Sequence, residues 1–68
     1  MPNVGDAVRL LNADGWYLER TRGSHRQFRH PTKPGTVTVP GRAGDDLPIG
    51  TWNSILRQAG LIEKEKDA

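Results

Sequence analysis

Residues 16–30 read Trp16-Tyr17-Leu18-Glu19-Arg20-Thr21-Arg22-Gly23-Ser24-His25-Arg26-Gln27-Phe28-Arg29-His30. Trp16, Leu18 and Arg20 alternate with Tyr17 and Glu19, the period-two signal of a strand. Thr21-Arg22-Gly23 reads as the turn that ends it, and a second strand is expected from about Ser24 to His30. Alternation places Trp16, Leu18 and Phe28 on a buried face, and Tyr17, Glu19, His25, Gln27 and Arg29 on an open one. A bulge at the Gly23-Ser24 junction would shift that parity by one.

Upstream of this hairpin, Val4, Ala7, Val8 and Leu11 fall at i, i+3, i+4 and i+7. That spacing predicts a short amphipathic helix, with Asn3 as N-cap, Asp6 as its capping-box partner and Gly15 as the stop. Downstream, His30-Pro31-Thr32-Lys33-Pro34-Gly35 must be a loop, and Thr36-Val37-Thr38-Val39 is the strongest β-forming run. Val37 and Val39 join the buried face, and Thr36 and Thr38 the open one. Pro40 to Asp46 is a longer connection before Trp52, Ile55, Leu56 and Ala59 restore the helical pattern, starting between Pro48 and Thr51. Gly60 and Leu61 fit a Schellman ending.

The expected architecture is α+β: a small αβββα domain over residues 1–62, its three-stranded antiparallel sheet carrying both helices on one face. Residues 63–68 form a charged tail expected to fray. A chain of 68 residues has room for only a thin core, and with no Cys it has no disulfide staple, thiolate nucleophile or Cys-based zinc site. Met1 to Asp6 has neither a charged n-region nor an apolar h-region, and no run is long enough to span a bilayer, so a cytoplasmic protein is expected.

Net charge is only +2, yet it is segregated. Arg20, Arg22, Arg26, Arg29, Lys33 and Arg42 occupy a stretch without one Asp or Glu, while Asp6, Asp14 and Glu19 precede it and the tail alternates in sign. A positive segment between near-neutral ends is the footprint of a polyanion such as RNA. His25 lies inside it, and an imidazole with an ordinary pKa of about 6.5 can take or give a proton near neutrality. RNA supplies its own nucleophile, so one imidazole and a few guanidiniums suffice to cleave it. His30 is a poor helper: five strand positions are about 16 Å and end on the opposite face. Ser24 is no nucleophile for His25, since neighbours on a strand diverge. Two histidines without nearby carboxylates make no metal site, and neither a metal nor an organic cofactor is expected.

Leu10-Leu11, Asp14-Gly15-Trp16, Arg22-Gly23-Ser24-His25, Phe28, His30-Pro31-Thr32-Lys33-Pro34, Thr38-Val39-Pro40, Leu47-Pro48, Gly50-Thr51, Ser54-Ile55-Leu56 and Gln58-Ala59-Gly60-Leu61 together resemble the HicA, or YcfA-like, family of type II toxins. The resemblance implies a fold similar to a double-stranded-RNA-binding domain and a metal-independent ribonuclease that cleaves mRNA and halts growth. It implies that His25, in the Gly-Ser-His motif, is catalytic; the motif and the charge pattern add Arg20, Arg22, Ser24, Arg26, Arg29, Lys33 and Arg42 as the residues expected to position the RNA. The implied partner is a HicB-type antitoxin that covers His25. The chain departs from the family pattern twice: Arg26 and Gly41-Arg42 stand where many members carry a further His, which leaves His25 alone. Two other readings compete, a non-catalytic RNA-binding domain and a module whose basic face docks an acidic protein.

Overall fold

A computed structural model of the chain describes residues 1–62. The expected tail, residues 63–68, lies outside them. The order is α1 (Val4–Ala13), β1 (Tyr17–Arg22), β2 (His25–Arg29), β3 (Val37–Val39) and α2 (Ile49–Gln58). The strands form one antiparallel sheet in the order β1-β2-β3. The expected αβββα fold is therefore present.

Local chemistry sets the helix ends. The Asn3 side chain accepts the Asp6 N–H at 2.8 Å and Asp6 Oδ2 accepts the Asn3 N–H at 3.0 Å, a reciprocal capping box. Both helices finish in Schellman motifs. In α1 the Trp16 N–H reaches Leu11 O and the Gly15 N–H reaches Asn12 O; in α2 Leu61 bonds Leu56 O and Gly60 bonds Arg57 O. Gly15 and Gly60 carry the positive φ this geometry needs, +103° and +71°.

Val4, Ala7 and Leu11 from α1, Ile55 and Leu56 from α2 with Ala59 at its C-cap, and Phe28, Val37 and Val39 from the sheet close the core with Trp16 and Leu47. Trp52, expected in the core, is half-buried at its margin. Leu47 is held by its N–H on Pro2 O at 2.7 Å, beside a bridge between Asn3 and Asp46, so the long connection returns to the start of α1.

Two details of the hairpin differ from the sequence reading. Thr21 and Arg22 belong to β1, and the turn is only Gly23-Ser24, with Arg22 opposite His25. Gly23 has φ +58° and Ser24 does not, the pattern of a type II′ turn, which matches the right-handed twist of its strands. The bulge lies not there but at Glu19: Leu18 faces Phe28 while Arg20 faces Gln27. Leu18, expected on the buried face, does share Phe28's side but is 50% exposed. It sits on an edge strand, beyond the cover of helices that pack chiefly over β3.

Candidate functional site

Cross-strand partners point to the same face of a sheet, so the register sorts the basic residues. Phe28 is buried against the helices; Gln27, Arg29 and His25 therefore face outward, with Tyr17, Arg20 and Arg22 as their partners on β1. Without the bulge, Arg20 would fall in line with Leu18. The extra residue at Glu19 turns Arg20 and Arg22 onto the face of His25. Arg22 stands directly opposite His25, a separation of about 5 Å between Cβ atoms.

The His25 side chain is exposed and accepts or donates no hydrogen bond among the described residues. Arg20 and Arg22 likewise lack an acidic partner there; Arg29 Nη1 lies 3.9 Å from Glu19 Oε1. Such an exposed pair is weak enough to open for a phosphate. Tyr17, 52% exposed on the same face, adds an aromatic surface that a base can stack on.

Ser24, Arg26 and Arg42 gather elsewhere. With Gly23 and Gly41 they line a cleft of about 350 Å³ between the hairpin turn and the loop after β3. Arg26 Nη1 donates to Gly41 O at 2.9 Å. Its partners are Thr21 and Val39, so it points to the inner side of the sheet, away from His25. The two departures from the family pattern, separate in sequence, thus meet at one cleft.

Lys33 and His30 belong to a third cluster. The Lys33 ammonium donates to Asp14 Oδ2 at 2.5 Å and to Ala59 O at 3.1 Å. His30 Nδ1 accepts the backbone N–H groups of Thr32 and Lys33, both at 3.1 Å, so its proton sits on Nε2, which donates to Asp14 O at 2.7 Å. The imidazole meets Trp16 edge to face, ring centres 5.2 Å apart, and Trp16 Nε1 donates to Asp14 Oδ2 at 3.1 Å. The Lys33 ammonium holds the Asp14 carboxyl below the usual carboxylate range, against a smaller opposing effect of desolvation; Trp16 and His30 add to the lowering. His30, expected to be a strand-end residue rather than a helper for His25, is the keystone of this clamp. Sequence reading missed the clamp because its bonded pairs lie up to 26 positions apart, and only the folded chain brings them together.

Among the described residues no three His, Cys, Asp or Glu side chains gather as a metal site, and no helix is long and apolar enough to cross a membrane. Residues 4–61 match the family described as HicA toxin of bacterial toxin-antitoxin. No curated protein matches the chain.

Proposed function

The chain belongs to the HicA toxin family of bacterial toxin–antitoxin systems, and on that premise we propose that it is a cytoplasmic, metal-independent endoribonuclease that cleaves mRNA with His25. The observation that carries the proposal is the position of His25, without a hydrogen bond among the described residues and exposed on an open sheet face with Arg20, Arg22 and Arg29 around it. The αβββα order is compatible with the expected likeness to double-stranded-RNA-binding domains.

In this reading the RNA 2′-hydroxyl attacks the adjacent phosphorus and the bond from phosphorus to the 5′-oxygen breaks. One proton leaves the 2′-oxygen and one arrives at the 5′-oxygen, and His25 handles one of these transfers. Arg22, opposite it, and Arg20 and Arg29 beside it balance the charge that builds on the phosphate. Lys33, tied to Asp14 and Ala59, supports the fold rather than the substrate. The antitoxin partner that the family implies is proposed to be HicB-like and to cover the His25 face.

Replacing His25 with Ala tests the assignment. The imidazole makes no bond among the described residues, so the variant should fold as the parent does. Cleavage of single-stranded RNA in EDTA should fall at least about 100-fold, the usual contribution of a general acid or base. Expression without antitoxin should no longer arrest growth. Undiminished cleavage by the folded variant removes His25 from the chemistry, and RNA binding without cleavage by the parent favours the non-catalytic domain.

A further inference from the structure

The cleft between the hairpin turn and the loop after β3 has no part in the chemistry assigned to His25. Among the described residues its lining holds two arginines, Arg26 and Arg42, and one serine, Ser24, and no Asp or Glu. Arg26 is oriented by its bond to Gly41 O, and its other N–H groups have no partner among the described residues. Arg42 is held by its backbone: its N–H donates to Asp45 Oδ2 at 3.0 Å, and the Asp45 N–H returns to Arg42 O at 2.9 Å. That leaves the loop braced and the Arg42 guanidinium exposed without a partner among the described residues. Asp45, which braces it, does not line the cleft.

From this juxtaposition we infer that the cleft is a second phosphate subsite, which holds a phosphodiester of single-stranded RNA neighbouring the scissile one, with Arg26 and Arg42 as its ligands. The inference rests on the RNA-cleaving reading above and deepens it. Planar guanidinium forks match two oxygens of a phosphate at once, and two of them with a hydroxyl supply donors and no acceptor charge. The site is also in the right place. His25 and Arg26 are consecutive, with Cα atoms about 3.8 Å apart and side chains on opposite faces. A strand that crosses the end of the hairpin presents one phosphate to the His25 face and a neighbouring one to the cleft. At Gly23, on the line of that crossing, even an added Cβ would meet no atom of the described residues within 4 Å.

The test uses the full chain with His25→Ala, so that RNA survives, and a labelled single-stranded oligonucleotide whose affinity is followed against salt. Adding Arg42→Gln should weaken binding about two- to fivefold, the range of an exposed ion pair. It should also lower the slope of log affinity against log salt by about 0.7, one phosphate contact on a single strand. Arg42→Lys should restore the slope. Oligonucleotides with one neutral methylphosphonate, moved along the chain, should identify a linkage whose neutralisation weakens the parent and does nothing further to Arg42→Gln. An unchanged slope with no coupled linkage overturns the subsite and leaves the ribonuclease reading standing. Coupling in a protein whose His25-bearing parent never cleaves keeps the subsite and removes the ribonuclease. An Arg42→Gln variant that binds RNA normally but loses antitoxin assigns the cleft to a protein partner and overturns the subsite.

Discussion

The two histidines show how far position outweighs residue type. His25 has no bond among the described residues and faces solvent beside cations; His30 uses both ring nitrogens inside the fold. Gly15 makes that placement available. Its φ is +103°, and a Cβ there would stand 2.8 Å from His30 Nε2, an atom pinned by its own hydrogen bond. A backbone conformation and a close approach thus demand glycine at one position. The pair makes a clean contrast by mutation. His30→Ala should lower unfolding free energy by about 1–3 kcal/mol in a urea titration, since it strips partners from part-buried backbone groups. At temperatures where the variant remains folded, its RNA cleavage should match the parent's. If His30→Ala instead abolishes cleavage while stability is unchanged, the clamp is not its role.

At the scale of elements, the bulge in β1 sets which charges surround His25. From the turn, Arg22, Thr21 and Arg20 oppose His25, Arg26 and Gln27 in regular order, and Glu19 is the extra residue before Leu18 meets Phe28. Deleting Glu19 would remove the bulge and keep every one of those partners. Deleting Thr21 instead would move Arg20 opposite Arg26, onto the inner side, and bring Glu19 opposite Gln27 beside His25. The first deletion should leave affinity for single-stranded RNA within about twofold. The second takes a cation off the open face, where Glu19 already stands beside Arg29, and should weaken it about fivefold, the upper range of one exposed charge interaction. Equal effects from the two deletions would rule out this register. Legibility from sequence follows the same division between local and distant causes. Asn3 with Asp6, Gly15 and Gly60 act within a few residues, and the caps and stops fall where the sequence places them. His25, Gln27 and Arg29 share a face because alternation is local too. The bulge leaves no mark on composition, so the faces of Arg20 and Arg22 required the register. Leu18 is apolar and correctly phased, yet only the absence of a helix above the edge strand decides its exposure.

Over the whole molecule the core is thin, as it must be when so short a chain buries only about 60% of the surface its unfolded form exposes. The Asp14 clamp supplements it by joining the end of α1, the start of β1, the loop between β2 and β3, and the end of α2 through Trp16, His30, Lys33 and Ala59. Because the Lys33 ammonium lowers the folded-state pKa of Asp14, the folded protein releases this proton more readily than the unfolded chain. The resulting stability is fully present above the unfolded carboxyl value of about 3.9 and is lost as pH falls through the lower, folded value. Acid should therefore loosen the contact between the two helix ends, with the carboxylate protonated and Lys33 left without its anion. Urea midpoints measured from pH 6 down to pH 2 should fall for the parent, and for Asp14→Asn they should start lower and fall less steeply below about pH 4. Parallel curves for the two proteins would mean that Asp14 titrates alike in both states and that the clamp contributes no pH dependence.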